Sequence, residues 1–157
     1  MSGEASLQGI RGWLVLVAIG LCVQPLILVK TLRDNARAFA PGTWSALTTP
    51  GSPVYHPLWA PLLVAEVVVN AVLLGWALVL LYQFFAKKRV FPRAVVTFIA
   101  ASLAVVIGDH AFASAIPTAR AQFTAKEATD IGRAALSAAI WIPYFLRSRR
   151  VAATFVT

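Results

Sequence analysis

The chain has 157 residues, of which 59% are hydrophobic and 13% are charged, and its mean hydropathy is +0.76. Soluble domains carry roughly a quarter charged residues and about 45–50% apolar ones, so this composition indicates a membrane protein. The single cysteine, Cys22, excludes a disulfide-stabilised secreted domain. Because a membrane-spanning helix needs about 20 apolar residues, the length allows four spans and leaves no room for a separate catalytic domain.

Four apolar segments follow one another along the chain. They predict an all-α polytopic membrane protein, with residues 1–157 forming a single four-transmembrane-helix bundle. The spans are expected at about 12–30, 58–86, 93–116 and 125–147. The first apolar segment is longer than the roughly 7–15 residues of a signal-peptide core, which favours a span over a cleaved leader.

The outer loop 31–57 is rich in Pro, Gly, Ser and Thr. Pro41-Gly42 predicts a turn, and Thr43 is placed to cap a short helical turn that carries Trp44. Trp44 and Tyr55 are residue types that prefer the headgroup level of a bilayer. The loop is therefore expected to lie partly in the interface, and a mobile loop with incidental aromatic residues is the alternative.

The third and fourth spans are rich in alanine, and small residues let helices approach closely in lipid. Pro92 suits the first position of the third helix. Thr124 with Glu127 forms a capping-box pattern, which predicts that the fourth helix begins near Ala125. Pro143 is expected to kink that helix.

Cationic residues concentrate beside the predicted spans. The chain carries 14 Lys and Arg against 6 Asp and Glu, a formal net charge of +8. Such flanks orient spans and contact anionic lipids, so membrane lipids are the predicted partner and nucleic acid is not. The predicted headgroup contacts are Lys87, Lys88, Arg89, Arg93, Arg149 and Arg150.

The dense cationic turn between the second and third spans predicts the orientation. Short loops rich in Lys and Arg stay in the cytoplasm, and an even number of spans puts both termini on that same side. Both termini are therefore expected to be cytoplasmic. Lys30, Arg33 and Arg37, on the opposite side, are the evidence against this orientation.

A group of polar residues falls in the outer half of the predicted spans. With a rise of about 1.5 Å per residue, Glu66 and Asn70 lie roughly 6 and 12 Å inside the outer boundary, and Asp109 lies about 9 Å inside it. His110 follows Asp109, and Arg133 lies near the outer start of the fourth span. These five residues are the predicted ligand-binding or proton-binding site.

The polar group has three interpretations. It can form an outward-facing pocket, with Arg133 paired to Glu66 or Asp109. It can instead form hydrogen bonds that only hold the helices together. The third interpretation is that the span boundaries are wrong and that these residues face lipid. No catalytic residue, metal site or cofactor is predicted, because no motif for one is present; an enzyme would have to use Glu66, Asp109 and His110 as acid and base.

Three segments carry a family pattern. They are Gly9 to Leu14; Tyr55 to Trp59 with Glu66 and Asn70; and Ile140 to Phe145 with Ser148, Arg150, Val151, Thr154 and Phe155. Together they resemble the bacterial inner-membrane family catalogued as domain of unknown function 2569. The resemblance covers nearly the whole chain and implies four spans in a bacterial inner membrane, but no activity. Ala152 stands where a second basic residue is expected.

These observations favour an accessory or assembly protein of the bacterial cytoplasmic membrane. It would use its alanine-rich faces for self-association or for docking onto a larger membrane complex. The alternative is a small transporter or sensor that binds a polar ligand or a proton in an outward-facing pocket. A lipid-modifying enzyme is the third hypothesis.

Overall fold

The chain is helical along most of its length. The computed structural model describes residues 9–120 and 125–156, with residues 125–127 described by their backbone only. Within these ranges the structure has no strand, which confirms the all-α fold class. The elements are α1 (Trp13–Ala36), a 3₁₀ turn (Arg37–Phe39), α2 (Pro41–Thr48), α3 (Trp59–Phe85), α4 (Phe91–Ala113), α5 (Pro117–Arg120), α6 (Ala125–Arg147) and α7 (Arg149–Thr154).

Within the described ranges, three helices are long and apolar enough to cross a membrane: α1 with the following 3₁₀ turn, α3 and α4. Their outward faces carry large apolar side chains. Leu26 is 69% exposed and Val72 is 62% exposed. Side chains of this kind on several neighbouring helices belong against lipid rather than water. These are the features of a multi-pass integral membrane protein.

Helix α1 continues beyond the end predicted at residue 30. Asp34 lies one turn after Lys30 and one turn before Arg37, and its carboxylate is 2.6 Å from Lys30 Nζ and 3.4 Å from Arg37 Nη1. Ion pairs at this spacing stabilise helical turns, so the helix extends to Ala36 after the apolar run has ended.

The outer loop contains a short helix rather than one capped turn. Helix α2 begins at Pro41, with Ala40 as its N-cap and no side-chain cap, so the expectation that Thr43 caps a turn is wrong. The ring of Trp44 stacks on that of Phe39 at 5.1 Å. The predicted capping box of Thr124 and Glu127 lies outside the described residues and side chains.

The long helices pack as a row in which α1 contacts α3, α3 contacts α4, and α4 contacts α6. The rings of Trp13 and Trp141 lie 6.2 Å apart, so α1 and α6 also meet near one end of the helix axes. We call this end, which includes the turn between α3 and α4, the terminal end. The opposite end, with Ala36, Trp59 and Ala113, is the distal end.

Four phenylalanines form an aromatic cluster at the terminal end: Phe84, Phe91, Phe145 and Phe155, each at most 5% exposed. The ring of Phe91 lies 4.6 Å from that of Phe155, 5.2 Å from that of Phe84 and 5.8 Å from that of Phe145. Because these rings come from α3, α4, α6 and the end of the chain, the cluster joins four separate segments.

The carboxyl-terminal segment folds back onto the helices. Ser148 leaves the helical conformation and its Oγ accepts a hydrogen bond from the backbone N–H of Val151 at 3.4 Å, which caps α7. Val151 and Thr154 are buried, and Thr154 Oγ1 donates to the backbone oxygen of Gly9 at 3.4 Å. Helix α7 therefore closes the terminal end and presents Phe155 to the aromatic cluster.

Candidate functional site

The buried acids of α3 and α4 meet each other. A side-chain hydrogen bond joins Glu66 and Asp109, and both residues are half-buried. Glu66 lies seven residues after Trp59 and Asp109 four residues before Ala113, roughly 10 and 6 Å from the distal ends of their helices. Two carboxyl groups can share a hydrogen bond only when one of them carries a proton. The two carboxyl groups are therefore placed to share one proton.

The turn between α3 and α4 sets the register that brings the two acids together. Phe84 meets Phe91 beside the turn, and the ring of Trp76 meets that of Phe98 at 5.6 Å farther along. Ten residues back from Trp76 lies Glu66, and eleven residues on from Phe98 lies Asp109. Antiparallel helices advance equally in opposite directions, so these contacts form successive levels between the same two helices. The short turn was the signal from which this pairing could have been found.

Asn70 and His110 bond to the backbone next to the acid pair. Asn70 Nδ2 donates to the backbone oxygen of Glu66 at 2.8 Å. His110 Nδ1 lies 2.8 Å from the backbone oxygen of Val106. A carbonyl oxygen only accepts, so Nδ1 carries the hydrogen in this contact. In neutral imidazole Nε2 is then the acceptor. Both residues therefore border the pair, each tied to its own helix.

The expected ion pair between Arg133 and a buried acid is not formed. Arg133 Nη1 lies 3.8 Å from Asp130 Oδ1, one turn earlier on α6, and its side chain is 78% exposed. At this spacing an arginine meets an acid one turn earlier on its own helix without being desolvated. Glu66 and Asp109 instead satisfy each other.

The acid pair is not part of the cleft at the distal end. A cleft of about 450 Å³ opens at the distal end, between the end of α4 and α5. Its described lining consists of Ser114, Ala115, Pro117 and Arg120, and neither acid is among these residues. The acid pair instead lies at the contact between α3 and α4.

The predicted headgroup contacts lie at the terminal end, opposite the acid pair. Arg89 Nε donates to the backbone oxygen of Val156 at 2.8 Å. Arg93 and Arg149 are exposed, whereas Arg150 is half-buried and its Nη1 has no hydrogen-bond partner among the described residues. Lys87 and Lys88 precede them in the turn between α3 and α4.

The segments that carry the family resemblance have structural explanations. Gly9 and Gly12 adopt φ values of 96° and 59°, a region that favours glycine. Thr154 bonds to Gly9, Val151 is buried within α7, and Phe155 is buried directly after it. In sequence, residues 147–157 are basic and then apolar, a pattern that does not by itself predict a helix. Ser148, a helix-capping residue type placed before Val151 and Phe155, was the signal that could have indicated a closing helix.

Comparisons with curated proteins and with solved structures found no match. The sequence model of one family, described as a protein of unknown function (DUF2569), matches residues 7–156. That range includes the three resembling segments, the acid pair and helix α7. The chain therefore belongs to the DUF2569 family.

Proposed function

We propose that this protein is a small transporter or sensor of the membrane that binds and releases a proton at the Glu66–Asp109 pair. The hydrogen bond between the two carboxyl groups carries this proposal. An ionisable residue inside a span costs about 2.5–3.5 kcal/mol on insertion scales and is by default a functional candidate. Two such residues from separate helices, facing each other, form a site at which one proton changes the force between α3 and α4.

The surroundings favour a proton over a larger polar ligand. The acids lie at a helix contact and not in the lining of the distal cleft, so the space between them suits a hydrogen bond better than a second molecule. Asn70 and His110 already use polar atoms on their own helices. A bound proton also neutralises one of the two carboxyl groups, so that two negative charges do not lie side by side in the membrane.

Infrared spectroscopy of the purified protein tests the shared proton. We expect the carbonyl stretch of a protonated carboxyl group to persist at pH values at which exposed acids are ionised. Glu66→Gln and Asp109→Asn should each remove or displace that band. Asp34→Asn is the matched control, because it deletes an acid that pairs with Lys30 and Arg37 near the distal end. Absence of the band in the parent protein, or its survival in Glu66→Gln, would contradict the proposal.

The contacts of α6 support a fourth span. This helix packs along α4 and its far end reaches Trp13 through Trp141. Leu136 on its outward face is 62% exposed. At about 1.5 Å per residue, its 23 residues measure roughly 34 Å, a length comparable with a bilayer core of about 30 Å. With four spans both termini would lie on one side, and the dense cationic turn favours the cytoplasm as that side. The bacterial inner membrane is the location that the family resemblance implies.

Cysteine labelling tests this topology. In a Cys22→Ala background, a membrane-impermeant thiol reagent added to intact cells should label Ser45→Cys, in α2, and should leave Val90→Cys and Arg149→Cys unlabelled until the cells are opened. All three positions are exposed. Labelling of Arg149→Cys from outside would contradict a fourth span. Labelling of Val90→Cys from outside would show the opposite orientation.

An accessory or assembly role is the second candidate. It is favoured by an exposed face of small residues on α4, made of Ala100, Ala104, Gly108 and Ala111. A Cβ atom added at Gly108 would meet nothing within 4 Å, so this face has room for another helix. Small residues permit close helix contacts in lipid, and a second copy of the chain or a larger membrane complex would use this surface.

A further inference from the structure

A groove of about 900 Å³ lies at the terminal end, between the start of α4, the end of α6 and helix α7. Its volume falls within the range of about 300–1,000 Å³ that is usual for ligand sites. Two arginines and several apolar side chains line it; among them are Arg89, Arg93, Thr97, Leu146, Ala152 and Phe155.

The groove changes from basic to apolar along α4. Arg89 precedes the helix, Arg93 lies in its first turn, and Thr97 lies one turn farther into the span. Thr97 Oγ1 donates to the backbone oxygen of Arg93 at 3.0 Å. The hydroxyl group is therefore satisfied within the helix, while Leu146, across the groove, is 66% exposed. A ligand that matches this gradient has an anionic head and an apolar tail.

The structure holds one of the two arginines in place. The bond from Arg89 Nε to Val156 fixes the guanidinium group beside helix α7, and both Nη nitrogens carry further N–H donors suited to phosphate oxygens. Lys87, Lys88 and Arg93 add positive charge at the same end. This charge favours a lipid with net negative charge over a zwitterionic one, whose cationic headgroup it repels.

We propose that this groove binds one anionic phospholipid. Its phosphate lies between Arg89 and Arg93, and the part of an acyl chain nearest the headgroup lies against Thr97 and Leu146. The site lies at the opposite end of the spans from the acid pair. It does not depend on the proton-binding proposal.

Native mass spectrometry of the delipidated full-length protein in detergent tests the site. We expect one phosphatidylglycerol molecule per chain to bind more tightly than phosphatidylcholine. The Arg89→Ala/Arg93→Ala variant should weaken phosphatidylglycerol binding roughly thirtyfold, because each cation near an anionic headgroup contributes about a fivefold factor. Arg11→Ala/Arg147→Ala, which removes the same charge from exposed positions outside the described lining, should weaken it less than about threefold.

A second variant blocks the groove without changing charge. Ala152→Trp, at an exposed lining position, should abolish the tight phosphatidylglycerol complex; it also provides the test if the double arginine variant fails to fold. Equal losses in the two arginine pairs would show diffuse charge attraction and overturn the proposal. Equal binding of the two lipids, or an unaffected Ala152→Trp variant, would overturn it as well.

Discussion

Replacing Phe155 by alanine should lower the free energy of unfolding by about 3–5 kcal/mol, the usual loss when a buried phenylalanine is truncated. Phe155 is 5% exposed and its ring stacks on Phe91 and touches Phe84. The truncation would leave a cavity in the aromatic cluster and detach α7 from the helices that it closes. Thermal or denaturant unfolding in detergent measures the change.

Val156→Ala is the matched control. Its side chain is 51% exposed, so we expect a change within about 0.5 kcal/mol. The backbone oxygen that accepts from Arg89 is retained in this variant. Equal and small losses in both variants would show that the carboxyl-terminal segment does not close the terminal end in solution.

Raising the pH should destabilise the protein through the acid pair. With one proton, Glu66 and Asp109 share a hydrogen bond; without it, two negative charges lie side by side. At a separation of about 4 Å and an effective dielectric constant of roughly 20, their repulsion is about 4 kcal/mol. The proton stabilises the pair while it is bound, so the thermal midpoint should be higher at mildly acidic pH and fall as the pH rises through the titration of the pair.

Glu66→Gln should flatten this dependence, because an amide keeps a hydrogen bond to Asp109 and cannot ionise. Asp34→Asn is the control, because this acid pairs with Lys30 and Arg37 and lies outside the Glu66–Asp109 pair. Its thermal midpoint should keep the pH dependence of the parent protein. If the pH dependence of the thermal midpoint survives in Glu66→Gln, the pair has only the structural role of holding α3 and α4 together.

The apolar pattern predicted most of the helical architecture. Helices α3 and α6 begin and end within a residue of the limits predicted for the second and fourth segments. Helix α1 was underestimated at its distal end because Lys30, Asp34 and Arg37 continue the helix by pairing with each other. Periodic hydrophobicity carries no information on such local ion pairs.

The depth estimate placed Glu66 and Asp109 at similar levels, but their partner was predicted wrongly. Attraction of opposite charges suggested Arg133, whereas Arg133 pairs with Asp130 on its own helix. Depth along an axis fixes one coordinate, and the direction of each side chain around its helix depends on packing. The rings that set the packing of α3 on α4, Phe84 with Phe91 and Trp76 with Phe98, are tertiary contacts.

The position of the aromatic cluster makes the terminal end a pivot for α4. Asp109 lies eighteen residues from Phe91, a lever arm of roughly 27 Å. A rotation of about 10° about the rings would move this carboxyl by roughly 5 Å, enough to part it from Glu66. The phenyl rings, close to the axis of rotation, would scarcely shift.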